Sequence, residues 1–308
     1  MARDTREKLR YDHSAAIKPA QVEELVDFYV NRRLAAIVVQ PLLNTHITPN
    51  QLTVASTLFG AGACVSFAHG SPRGMAIGAV SILLAMVMDC ADGQLARARG
   101  GGTRVGRIFD GMADYINAIF VHVGLLLFLY KSSVSLLGQP AEGLVPFLVM
   151  AAAGASMTLH AAFFDLYKGR FQMLTGICKP EMDPPDEVLA DLRAATHAVD
   201  RVLLWGYWRY CVFQASLNEH KPAPRRFAPG SAQAHRIHAV YERNLRMWSF
   251  LGPTTHMAAL ALAGAIASVT PYAIWWYVVL VTVPVNLYMI GMLIWTKRLD
   301  QANADVVS

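Results

Sequence analysis

Four aspartates are the residues of this sequence most able to do chemistry. Asp89, Asp92, Asp110 and Asp114 all fall within DCADGQLARARGGGTRVGRIFDGMAD, residues 89–114. The first pair is spaced i, i+3 and the second i, i+4, so each pair shares one face of a helix. The glycine- and arginine-rich tract between them turns the chain and lets the two faces meet. Each charged side chain at the centre of a membrane span costs about 2.5–3.5 kcal/mol on insertion scales, less near the interface. Four such anions side by side repel one another as well, so the arrangement calls for cations or retained protons. Oxygen-only ligands favour hard ions, Mg2+ or Mn2+. Two of them, roughly 3.5–4 Å apart, would clamp the attacking and leaving oxygens of a phosphoryl displacement. A lone D-x-x-D is ordinarily a solvated helix end; two aspartate pairs within 26 residues are a different matter.

The elements that must position these residues are membrane helices. Of 308 residues, 54% are apolar and only 16% charged, with a mean hydropathy of +0.33. A soluble domain seldom combines these values. Six apolar stretches, near 51–70, 74–97, 105–130, 144–167, 252–270 and 272–296, approach the roughly 20 helical residues that cross a bilayer. Gly70-Ser71-Pro72, Gly100–Gly102, Gly138-Gln139-Pro140 and Pro271 mark turns between them. With both ends on one face, that face holds every Lys and Arg except Arg73 and Lys131. The positive-inside rule then places both termini, and the aspartates, on the cytoplasmic side. Residues 19–40 read as an amphipathic helix in the inner interface, with Glu23, Glu24, Asp27 and Arg32 between apolar positions, ending at Pro41. Residues 168–250 read as a small subdomain or a set of interfacial helices, with WGYWRY suited to an aromatic belt. The expected fold is therefore all-α and integral to the membrane, with six transmembrane helices preceded by an interfacial helix. A cytoplasmic insertion separates helices 4 and 5, and the division is 1–48, 49–167, 168–250 and 251–308. Cys64, Cys90, Cys178 and Cys211 form no C-x-x-C pair, which argues against zinc and a disulfide framework. No cleavable secretory signal is expected. The basic charge is accounted for by topology and anionic headgroups, and nothing resembles a nucleic-acid motif.

The aspartate tract resembles the signature of the CDP-alcohol phosphotransferase family, D-x2-D-G-x2-A-R-x8-G-x3-D-x3-D. All its fixed positions are met, by Asp89, Asp92, Gly93, Ala96, Arg97, Gly106, Asp110 and Asp114. VNRRLA at 30–35 and ITPNQLT at 47–53 are similar to the approach to the first span in the inositol-phosphate branch. Residues 168–250 depart from the short-loop members. The resemblance implies that Asp89, Asp92, Asp110 and Asp114 bind two divalent cations and that Asp114 is also the general base. It assigns nucleotide contacts to Gly93, Ala96, Arg97, Thr103 and Gly106, and it implies a homodimer in a bacterial inner membrane. The expected activity moves a substituted phosphate from a CDP-linked donor, first of all CDP-diacylglycerol, to an alcohol acceptor with release of CMP.

Polar residues elsewhere could serve the acceptor: Asn117, His122, His160, His256, Asn286, and Asp165 with Lys168 and Arg170. Arg243 and Arg246 are alternatives for a phosphorylated acceptor. For a single intramembrane His or Asn, helix–helix hydrogen bonding is the competing reading. Two other functions were weighed: a transferase using a soluble CDP-alcohol such as CDP-inositol, and a divalent-cation transporter. Transport predicts carboxylates spread through the bundle, whereas these gather at one edge.

Overall fold

A computed structural model describes residues 9–12, 16–102, 104–132, 142–178, 183–216, 227–228 and 230–304. Thr103, the Gly138–Pro140 turn and most of the charged N-terminal run lie outside them. The described residues form helices and connecting turns, without a strand. A π-helical turn, Asp27–Asn31, leads into α1, Arg32–Leu42, which runs through Pro41 rather than stopping before it. Then come α2 (Pro49–His69), α3 (Pro72–Ala98), α4 (Arg104–Lys131) and α5 (Val145–Thr175). A short hairpin follows, α6 (Pro185–Ala194) and α7 (Ala198–Ser216). The chain ends with α8 (Ala232–Trp248), α9 (Pro253–Ala267), α10 (Ala273–Thr282) and α11 (Pro284–Ala302).

Local chemistry sets these boundaries. Thr48 and Gln51 form a reciprocal capping box at the start of α2, with Pro49 in the first turn. Gly70 closes α2 at φ +78, and the Ser71 hydroxyl accepts from the Gly74 amide to open α3. One turn thus makes α2 and α3 antiparallel neighbours. They pack closely because small residues meet: a Cβ on Gly74 would stand 2.6 Å from the Ser66 carbonyl oxygen, and one on Gly78 2.5 Å from the Phe67 ring. The Gly74/Gly78 pair, from which sequence alone supports no conclusion, is a genuine packing device. Phe67, Met75, Ile82, Leu125, Leu260 and Ile274 belong to the largest buried cluster, which joins α2, α3, α4, α9 and α10.

Among the described residues, five helical stretches are long and apolar enough to cross a membrane: Pro49–His69, Pro72–Ala98, Val105–Lys131, Val145–Thr175 and Ala273–Ala302, the last made of α10 and α11. The stretch expected as the fifth span is only fifteen residues of helix, Pro253–Ala267. At 1.5 Å per residue it covers about 22 Å of a core roughly 30 Å thick. It qualifies together with Ala232–Leu251, to which it is joined at a 41° bend. The fourth span passes the expected boundary at 167 and continues to Thr175. Large apolar residues such as Leu58, Val65, Ile77, Ile119, Leu148, Leu262 and Leu287 are exposed around the bundle. That is the surface of a multi-pass membrane protein, since water would penalise so broad an apolar face.

Candidate active site

The aspartate motif folds as two helix ends joined by a glycine turn. α3 carries Asp89, Asp92, Gly93, Ala96 and Arg97; α4 carries Gly106, Asp110 and Asp114. Gly100 and Gly101 have φ +97 and +111, a region in which L side chains are strained, and the Gly101 amide bonds back to the Ala96 carbonyl. Across this turn, carboxylate oxygens of Asp89, Asp92 and Asp110 come within 4.8 Å of one another. Asp114, one turn further along α4, is in hydrogen-bonding contact with Asp89. All four predicted carboxylates therefore meet. Asp92 is buried and accepts a hydrogen bond from the Thr53 hydroxyl of α2. Asp110 Oδ1 is buried without a hydrogen-bond partner. Three converging carboxylates and a buried, unmatched oxygen suit a hard divalent cation, which would supply what the protein does not.

The expected nucleotide residues lie beside this cluster. A Cβ on Gly93 would sit 3.1 Å from Arg97 Nη1, so the missing side chain makes room for that guanidinium along the helix. Arg97 Nε donates to the Ala16 carbonyl at 2.7 Å. Ala96 and Gly106 flank the turn, while Thr103 is outside the described residues.

Several residues around the site have no counterpart among the expected ones. Arg99 grips the end of α1: Nε donates to the Leu43 carbonyl (3.1 Å) and Nη2 to those of Leu42 (2.7 Å) and Thr45 (2.9 Å). A cation on orphan carbonyls at a helix C-terminus is a favourable pairing. Glu23, Glu24 and Arg32, read as the water-facing side of the N-terminal helix, are buried. Arg32 pairs with both Glu23 oxygens at 3.1 Å and donates to the Cys90 carbonyl, between Asp89 and Asp92 in sequence. Glu24 accepts from the Thr254 and Thr255 amides, capping α9 from another part of the chain. Asp27 accepts from the Thr254 hydroxyl at 2.9 Å and from the Cys90 thiol. Meanwhile Tyr29, Val30, Leu34 and Ile37 point outward. Glu23, Glu24 and Arg32 face the protein together with Val22, Ala35 and Val39, so burial does not follow polarity along this segment. Amphipathic spacing reveals two faces but does not say which one is buried.

The remaining polar candidates are engaged elsewhere. Asn117 donates to Ser56, whose hydroxyl donates to the Ala85 carbonyl, stitching α4, α2 and α3 together. His160 Nδ1 meets His256 Nε2 at 3.1 Å and its Nε2 meets Asn286 Oδ1 at 3.2 Å, a polar seam between α5, α9 and α11. His122 contacts its own helix at the Ala118 carbonyl. Asp165 accepts from Tyr210 at 2.7 Å and lies 3.8 Å from Lys168. Arg170 pairs with Asp300 at 2.7 Å, and Arg246 donates to the Ala20 carbonyl. Arg243 is exposed.

Comparison with known proteins matches residues 46–172, which span α2–α5 and the whole aspartate cluster, to the CDP-alcohol phosphatidyltransferase model. Residues 46–172 are thus similar to a CDP-alcohol phosphatidyltransferase domain. The chain is 35% identical over 95 residues to phosphatidylinositol phosphate synthase of Mycobacterium tuberculosis, covering 30% of this chain and 42% of the relative. The same-named protein of Mycobacterium marinum is 36% identical over 103 residues, 32% of this chain and 43% of the relative. A bifunctional IPC transferase and DIPP synthase of Aquifex aeolicus is 27% identical over 172 residues, 54% of this chain and 36% of the relative. The chain spans less than half the length of the curated relatives it matches.

Proposed function

We propose that this chain is a CDP-alcohol phosphotransferase of phospholipid biosynthesis, moving a substituted phosphate from a CDP-linked donor to a hydroxyl acceptor and releasing CMP. The observation that carries this is the meeting of Asp89, Asp92 and Asp110 from two helices, inside the matched segment. Asp89, Asp92, Asp110 and Asp114 would hold two divalent cations, Mg2+ or Mn2+. When bound, these supply positive charge to the pyrophosphate and the departing CMP. Arg97, with Gly93 leaving space for it, would hold a nucleotide phosphate in a bidentate fork. Ala96, Thr103 and Gly106 complete the nucleotide cradle. Asp114 takes the proton of the acceptor hydroxyl as that oxygen bonds to the phosphorus nearer the donor alcohol. The bond from this phosphorus to the bridging oxygen breaks, and CMP leaves with the electron pair.

In this reading the bent pair counts as one crossing, giving six spans with both termini and the site on the cytoplasmic side of a bacterial plasma membrane. Residues 1–48 carry the interfacial helix, 49–167 the catalytic spans, 168–250 a cytoplasmic insertion, and 251–308 the last spans. The enzyme works as a homodimer. The donor is CDP-diacylglycerol and the acceptor a small polar alcohol or its phosphate, in keeping with relatives named phosphatidylinositol phosphate synthase. The Aquifex relative, aligned over the larger share of this chain, favours a second reading with a soluble donor such as CDP-inositol. Mass spectrometry of products from parallel incubations with the two donors and a panel of acceptors, inositol phosphate included, separates them. A phospholipid made only from CDP-diacylglycerol supports the first reading, and a product made only from CDP-inositol replaces it with the second. No product from either donor, by folded protein that binds CDP, would overturn both substrate assignments.

A further inference from the structure

Among the described residues, the hairpin of α6 and α7 is held on α4 and α5 by contacts from one side only. Leu204 and Cys211 of α7 are buried in a small cluster with Val188 of α6 and Ile108 of α4. Arg107 pairs with Asp183 at 2.9 Å, Tyr210 donates to Asp165 at 2.7 Å, and Gln214 donates to the Ala162 carbonyl at 3.1 Å. These contacts fix the rotation of α7. The side left outward carries Val199, Val202, Trp205, Val212 and Phe213, between 37% and 70% exposed, with Arg201 and Arg209 among them.

We propose that α7 lies in the headgroup–acyl boundary of the bilayer, its outer face seated against anionic lipid. The helix is unlike a spanning segment, because Asp200, Arg201 and Arg209 interrupt its nineteen residues. It is equally unlike a solvated helix, because five large apolar residues share one face. A tryptophan and apolar side chains that can sink below the headgroups, with arginines that can extend back to them, suit an interfacial helix. The two exposed arginines match the negative charge of anionic headgroups. Position argues the same way. Tyr115, Ile119, Val123 and Leu127 form an exposed i, i+4 stripe along α4, itself a candidate span, and Tyr115 stands edge-on to Tyr210 of α7 with ring centroids 6.0 Å apart. The exposed apolar stripe of α4 therefore borders α7 at Tyr210, two and three residues before the exposed Val212 and Phe213. A hairpin seated this way is anchored by lipid while its inner side braces the helix that carries Asp110 and Asp114. The proposal rests on the membrane reading and not on the transfer reaction.

The test uses the full chain reconstituted in vesicles containing phosphatidylglycerol, with and without lipids brominated at shallow acyl positions. Fluorescence of the native chain is compared with that of Trp205→Phe, so that the difference reports Trp205. The component lost in the variant is expected to be quenched by the bromolipid more strongly than by aqueous iodide. A Trp205 component quenched by iodide and untouched by bromolipid would overturn the proposal. Chain-to-chain crosslinking of Val202→Cys above the native level would overturn it in favour of a second copy of this chain. Both substitutions lie on the outer face, away from the contacts that fold the hairpin.

Discussion

A carboxylate buried beside other carboxylates needs a donor or a cation, and the aspartates here differ in what they have. Asp92 has the Thr53 hydroxyl, Asp89 has Asp114, and Asp110 has only the carboxyls of Asp89 and Asp92. In the proposed site Thr53 would orient a ligand, Asp92, without joining the ligand set. Thr53→Val, of similar shape but without the donor, is expected to raise the Mn2+ concentration needed for half-maximal CMP release by about 10–100-fold, the usual cost of losing such support. An unchanged metal requirement would mean that Asp92 needs no orienting. The aspartates themselves are legible in the sequence because one short motif holds all of them. Thr53 is not, since it belongs to another helix and becomes a neighbour only once α2 and α3 pack. Arg99 is likewise one arginine among several in a basic run until its carbonyl partners are visible.

At the scale of elements, glycines set the distance between helices and buried acids tie the N-terminal segment down. A Cβ on Gly60 would fall 2.1 Å from Asn117 Oδ1, so Gly60→Ala must push α4 away from α2. A destabilisation of about 1–3 kcal/mol is expected, measurable as a lower thermal midpoint in detergent. An unchanged midpoint would show that Asn117 rotates away freely. Glu24 gives a pH dependence. Burial, and next to it Asp27, push its carboxyl up to about 8 from 4.5, against the pull of the Thr254 and Thr255 amides and Lys168. The folded chain then keeps a proton that the unfolded chain releases, so stability from this group falls as pH rises from about 4.5 to about 8 and levels off above. Glu24→Gln should flatten that slope in thermal midpoints measured across the window, and identical slopes would place the effect elsewhere. The sequence suggests an amphipathic helix over 19–40, whereas the chain is extended at Glu23 and its continuous helix begins at residue 25 and passes at once into a π-helical turn, a feature frequent at functional sites. Asp27 opens that turn, within reach of Cys90 and Thr254.

For the whole molecule, the open point is how many times the chain crosses the bilayer. The long spans are legible because 20-residue apolar runs have few other uses. The fifth is not, because Gly252 and Pro253 break a helix whose two halves qualify only together. The basic residues decide between the counts. If the bent pair crosses, Arg73 and Arg298 lie on opposite faces; if it does not, they share one. Arg73→Cys is expected to react with an impermeant maleimide from outside intact cells, and Arg298→Cys only after permeabilisation. Labelling of both from outside would reduce the bundle to five crossings. The stacked pair His160 and His256, joined through Asn286 to α11, gives the bent segment polar partners inside the bundle. That seam is the helix–helix hydrogen bonding that competes with an acceptor role for these histidines.

The most direct test of the central claim is CMP release by purified chain supplied with CDP-diacylglycerol and a phosphorylated inositol acceptor, titrated with Mg2+ or Mn2+, for the native protein and Asp114→Asn. Release that requires the metal is expected from the native chain, with a loss of about 10²–10⁴-fold or more in the folded variant, the range of a general base. Release that is indifferent to metal, or that Asp114→Asn leaves intact, would contradict a metal-dependent transfer carried out by these four aspartates.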